Sequence, residues 1–233
     1  MFLTIAVIYY ASESFNLKGS TLYEGFSSLF SFLLVGEIAL VIPMNFAERL
    51  ISHFLEIRNQ QFYQTLIGLR ISTNKFIFSE ALVDVIFPFS RVLFILFYSS
   101  IFLNFSLTFT SVVTFILVQI FAVIVFAMMA LIATLIYLKF NRGLSLFYSF
   151  QSVAAIIGGA YFPIQVFPTY LKNISIFLPQ TQVLHASRLI LNGQLLEFSS
   201  LATLFIWLIF LTLIWFFLNY YLIQNLKRNA RLI

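Results

Sequence analysis

Apolar residues in this chain do not alternate with polar ones at the two-residue period of a half-buried strand; they run on without charge for lengths that match a bilayer. A hydrocarbon core of about 30 Å takes about 20 apolar residues as helix. Runs of that order occupy residues 22–46, 82–103, 107–138, 144–162 and 201–223, and a run of about half that length occupies 1–11. Six passages are expected. The first is too short to cross upright and has neither the basic flank nor the small-residue cleavage site of a signal peptide, so it is expected as a tilted or shortened helix.

Two segments between these runs are longer than connectors. In residues 47–81, Leu50, Ile51, Phe54 and Leu55, then Phe62, Leu66 and Leu69, recur at helical spacing among Glu48, Arg49, His53, Glu56, Arg58, Gln60 and Gln61. This predicts an amphipathic helix, either lying in the headgroup layer or presenting a docking surface. In residues 163–200, Pro163, Pro168 and Pro179 divide the chain into pieces of about 11 to 14 residues, or roughly 16 to 21 Å of helix, too short to span. Pro179 suits the first helical turn and Gly193 the residue after the last one. The segment is expected either as two short helices entering one leaflet, a lid over the bundle, or as an interfacial loop.

Basic residues set the orientation. With a cytoplasmic N-terminus, the inner segments hold Arg49, Arg58, Arg70, Lys75, Lys139, Arg142, Lys227, Arg228 and Arg231, while the outer ones hold Lys18, Lys172 and Arg188. That asymmetry places both termini in the cytoplasm. The three basic residues after the last span are expected to anchor it to anionic headgroups.

Composition removes whole classes of function. Of the 233 residues 61% are hydrophobic and 9% charged, against about a quarter charged in soluble domains. The net charge of +5 is scattered, which leaves no basic patch for nucleic acid. Cysteine is absent, and His53 and His185 lie far apart, so neither a thiolate site nor a two-histidine zinc site is expected. No Ser/His/Asp set or phosphate-cradling GxxxxGK[ST] loop occurs, so no catalysis and no cofactor are expected on this chain.

Polar residues inside the runs are expensive and therefore informative. Glu37 is expected either on a substrate path or dimer seam, or as a structurally paired acid. Asp84 and Arg91 stand two turns apart on one face and would each meet another helix. Gln119 and Gln151 are expected as interhelical hydrogen-bond glue. Gly158-Gly159-Ala160 offers a close-packing face or a flexible helix end.

The stretch Gly158-Gly159-Ala160-Tyr161-Phe162-Pro163, then Phe167-Pro168, Leu171, Ile174-Ser175, Leu178-Pro179-Gln180-Thr181, Arg188 and Gly193, resembles the membrane subunit of ABC type-2 export permeases. About 35 residues carry this likeness, with Phe167 where Leu is commoner and Ala186-Ser187 for the usual Glu-Ala. A looser match runs through Arg58, Leu66-Ile67 and Ile71-Ser72, with Asn59, Gln61-Phe62 and Arg70 departing from the pattern. The resemblance implies an all-α integral membrane protein of six transmembrane helices. It has a cytoplasmic amphipathic coupling helix in 47–81 and two short re-entrant outer helices between helices five and six. Residues 1–233 would form one permease domain with no nucleotide-binding domain. Glu56, Arg58, Leu66, Ile71 and Ser72 would couple to a cytoplasmic ABC ATPase subunit that carries the ATP and Mg. Phe162, Pro163, Pro168, Pro179, Thr181, Arg188 and Gly193 would form an outer gate, and a second permease copy would complete the path in the bilayer. Two other functions remain open on the residues alone: a proton-coupled carrier using Glu37, and an intramembrane lipid-modifying enzyme.

The orientation is testable because the chain has no native cysteine. Single cysteines at Asn141 and Lys172, probed with an impermeant thiol reagent on intact cells, should label at 172 and stay silent at 141. The opposite pattern overturns the topology.

Overall fold

The computed structural model describes residues 29–58, 73–102, 108–140, 142–194 and 196–230. Every regular element among them is helical: α1 Leu29–Arg58, α2 Thr73–Phe102, α3 Phe109–Phe140, α4 Leu144–Ile157, α5 Thr169–Phe177, α6 Pro179–Leu191 and α7 Phe198–Ala230, with a 3₁₀ turn at Ile164–Val166. Three stretches, Ser31–Glu56, Phe109–Tyr137 and Phe198–Tyr221, are long and apolar enough to cross a membrane. The helix α2 is as long as α1, 30 residues, and carries Glu80, Asp84 and Arg91. The run at 1–11 lies outside the described residues.

The two longest-buried helices, α1 and α3, pack side by side at the centre; α2 covers α1, α7 covers α3, and α6 is inserted against α1, α3 and α7. One core cluster joins Leu50 and Ile51 of α1 to Val125 and Phe126 of α3 and Leu184 of α6. A second joins Phe32 and Ile38 to Val92, Val118 and Ile190. Burial is lopsided: few residues of α7 are buried, and Phe205, Ile206, Phe210, Leu213, Phe216 and Phe217 stand exposed. Such an apolar surface is untenable in water and ordinary in lipid.

Two expected boundaries differ. Of the segment 47–81, residues 47–58 prolong α1 and 73–81 open α2, and the stretch between them lies outside the described residues. No Pro or Gly interrupts Phe46 to Arg58, and the apolar face read there as interfacial supplies Ala47, Leu50 and Ile51 to the core. The fifth run, 144–162, stops as a helix at Ile157, because Gly158 and Gly159 follow and Gly159 has φ 91°. Its 14 residues make about 21 Å, short of a full crossing. Both short helices of the 163–200 segment form. Pro168 precedes α5, Pro179 is the first residue of α6, and Gly193 takes φ 71° after its end.

Inside α1, Pro43 has no N–H, so the Ala39 carbonyl four residues earlier loses its helical partner. Gln119 of α3 replaces it, donating from Nε2 to the Ala39 oxygen at 3.2 Å. In lipid no water could do so.

Gln119→Leu should therefore lower stability by about 1 kcal/mol. In a Pro43→Ala background, where residue 43 regains its N–H, the same change should matter less. Unfolding of the four chains in detergent measures the coupling, and equal losses in both backgrounds would refute it.

Candidate polar seam along the first helix

One face of α1 carries Glu37, Val41, Asn45, Glu48 and Arg49, His53 and Glu56, at steps of three or four residues. From 37 to 56 this stripe extends about 28 Å, nearly the thickness of the hydrocarbon core. Asn45 turns its amide back onto its own helix, Nδ2 donating to the Val41 carbonyl at 2.7 Å.

Two side chains of α2 meet the stripe. Arg91 Nη2 lies 3.7 Å from Glu37 Oε1, with both side chains close to half exposed. Asp84 Oδ2 lies 2.8 Å from His53 Nε2, while Glu56 Oε2 lies 3.4 Å from His53 Nδ1. His53 is buried and so faces a carboxylate oxygen from each ring nitrogen. Only a ring carrying both N–H groups donates to both at once; the neutral ring keeps one of the two bonds. Asp84 and Arg91 thus each reach another helix, and Glu37 is a paired acid on an open face.

The stripe is flanked by two openings. Between α1 and the end of α4 lies a groove of about 260 Å³, with Glu37, Asn45 and Glu48 on one wall and Ser152, Ile156 and Tyr161 on the other. Its end is pinched where Gly36 packs on the 160 backbone, and a Cβ on Gly36 would overlap the Ala160 carbonyl oxygen. On the other side, a cleft of about 710 Å³ is lined by Asn45, Arg49, Asp84, Ser90 and Arg91. Together these linings hold three carboxylates and two guanidinium groups on helices otherwise built for lipid. They can bind cations or hydrogen-bonding groups and can carry water.

The expected gate residues separate into two groups. Pro163, Pro179, Thr181 and Arg188 are buried, whereas Phe162, Pro168 and Gly193 are exposed. Arg188, expected among the outer basic residues and in the gate, is 2% exposed. Its Nη2 donates to the Gly159 carbonyl at 2.7 Å and its guanidinium carbon lies 3.6 Å above the Phe32 ring. Gln180 Nε2 donates to Gln151 Oε1 at 2.8 Å, and Thr181 sits against Gly158. The helix α6 is therefore fastened to the end of α4 and to α1. The indole of Trp207 adds a bond from α7 to the Phe177 carbonyl at the end of α5.

Compared with protein-family models, curated proteins and solved structures, the chain has no match.

Of the expected coupling residues, Glu56 is exposed and engaged with His53. Arg58 ends α1, with its side chain outside the described residues, as are Leu66, Ile71 and Ser72 altogether. Asn45, which lines both openings, is the polar group that sequence reasoning did not single out, and Glu48 is one it reads as part of the amphipathic segment. They stand 8 and 11 positions after Glu37, a helical spacing visible once α1 is continued past Phe46.

Asp84→Ala should lower thermal stability in detergent by about 1 to 3 kcal/mol, since it removes the short partner of a buried imidazole. Asp84→Asn, which keeps an acceptor, should retain most of it. Parental stability in Asp84→Ala would mean that the Asp84–His53 contact contributes nothing.

Proposed function

We propose that the chain is the membrane-spanning permease subunit of an ATP-driven ABC exporter. Two copies enclose the path, and a separate cytoplasmic ATPase hydrolyses ATP. The observation that carries this reading is the polar seam: charged side chains stand exposed along a helix of membrane-spanning length, and an ionised group at that depth costs several kcal/mol in lipid. Such a face belongs against water or a second copy. A passage lined on one side by α1 and completed by a partner accounts for both its polarity and its openness.

The arrangement of the short helices agrees with this assignment. A helix of 13 residues, encased in the bundle and held by side-chain bonds to the ends of its neighbours, supplies an element that can close one mouth of a path. Six passages, two cytoplasmic termini and re-entrant α5 and α6 on the outer side belong to the same proposal. Coupling runs through residues 56–72, which join α1 to α2, because the His53–Asp84 bond links these two helices beside that junction.

Purification in mild detergent from native membranes should recover an ABC ATPase with the chain, and vesicles holding both should export only with ATP. Charge reversal at Glu56 and Arg58 should remove export while ATPase binding persists. Export by the chain alone, driven by a pH gradient and lost in Glu37→Gln, would replace this reading with a proton-coupled carrier.

A further inference from the structure

The two openings beside α1 sort the charges of the seam by sign. Glu37 and Glu48 line the groove toward α4, and no basic side chain joins them there. Both guanidinium groups, Arg49 of α1 and Arg91 of α2, line the cleft of about 710 Å³ on the other side. The one carboxylate in that lining is Asp84, and its Oδ2 already lies 2.8 Å from His53 Nε2. The cleft is thus the basic side of a stripe that is acidic elsewhere.

Neither guanidinium is satisfied by protein. Arg49 is exposed and meets no carboxylate among the described residues. It stands seven positions before Glu56, the end of the apolar stretch Ser31–Glu56, so its Cα lies about 10 Å inside that end. A cation at such a depth costs a few kcal/mol in lipid unless an anion or water meets it. Arg91 faces one oxygen of Glu37 at 3.7 Å, longer than a hydrogen bond, with 40% of its side chain exposed. A guanidinium carries five N–H donors in a planar fork that matches the paired oxygens of a carboxylate or phosphate, and one loose contact leaves most of them open.

The rest of the lining adds an apolar half. On α1 the cleft runs from Asn45 to Arg49, one turn or about 6 Å, so one small headgroup comes within reach of both arginines. On α2 it is edged by Phe87 and Phe94, 76% and 65% exposed, whose rings stand beside the basic pair on the face that lipid covers.

We propose that the cleft between α1 and α2 binds the anionic headgroup, phosphate or carboxylate, of an amphiphile that enters from the bilayer. Arg49 and Arg91 hold the headgroup, and Phe87 and Phe94 flank the tail. The proposal rests on the permease reading only in naming the chemistry of what α1 would carry; binding itself needs neither ATP nor a partner.

The test uses the full chain in dodecyl maltoside micelles, which bring no charged lipid, with a diazirine-bearing hexadecyl phosphate. Adducts should fall on residues 45–49 and 84–94. Unlabelled hexadecyl phosphate should suppress them about tenfold better than hexadecanol, which has the same tail and no charge. Arg49→Gln should weaken binding about tenfold, the factor for one charge-assisted hydrogen bond, and should stay folded because Arg49 holds no other residue. Arg142→Gln, which removes an exposed arginine outside the cleft, should bind as the parent does. Glu37→Gln, which frees Arg91, should not weaken binding. Phosphatidylglycerol competing better than hexadecyl phosphate would make the ligand a bilayer phospholipid, and the reverse order a single-chain anion; both support the site. Equal competition by hexadecanol, or equal losses in Arg49→Gln and Arg142→Gln, would overturn it. Binding without ATP-driven export would remove the permease reading and leave the site, whereas export alongside parental binding in Arg49→Gln would do the opposite.

Discussion

The backbone of α1 must close its own hydrogen bonds at a depth where water is absent, and Pro43 opens one of them in the middle of the helix. That single constraint fixes the neighbour. A donor has to arrive from outside α1, and Gln119 provides it from α3, so the central helix pair is registered by a polar contact inside an apolar interface. The flanking buried residues, Ala39 and Ile42 on α1 and Val118 and Ala122 on α3, then pack at fixed height. Because α2, α6 and α7 all lean on this pair, the register of α1 against α3 passes to every other contact in the bundle.

The polar face of α1 is handled in a different way. Glu37, half exposed, is paired sideways with Arg91 of α2, and the buried His53 with Asp84, at points about 24 Å apart along α1. Both pairs draw on the middle of α2, where Asp84 and Arg91 stand about 10 Å apart, and leave the middle of the stripe, Asn45 and Glu48, open to the grooves beside it. The exposed Glu37–Arg91 pair contributes little to stability. Its value here lies in neutralising charge along a helix that must also remain in a membrane.

The helix α6 shows how irregular backbone is accommodated. The chain breaks at Gly158-Gly159, turns at Pro163 and Pro168, and returns as a helix far shorter than a bilayer. Arg188 crosses from α6 to the broken end of α4, donating to the freed Gly159 carbonyl while its planar face rests on Phe32. One guanidinium thereby satisfies a carbonyl at the break and packs like an aromatic side chain.

By itself the sequence determined the chemistry of the surroundings and the positions of the breaks. Uncharged runs named membrane helices, prolines at 163, 168 and 179 named the short pieces, and Gly193 named the left-handed end of α6, because these follow from solvation and local stereochemistry. The paired fates of Asp84 and Arg91 were also legible, since an ionised group at that depth requires a partner. The continuation of α1 past Phe46 was misread: an amphipathic pattern fixes that a helix has an apolar face, not whether lipid or protein covers it, and Leu50 and Ile51 meet α3 instead of headgroups. Burial of Arg188 beneath the bundle surface, and the convergence of Asn45 and Glu48 on the end of α4, were decided by tertiary structure alone. They depend on contacts between residues 29 to 156 positions apart in the chain, and such distances leave no local pattern to read.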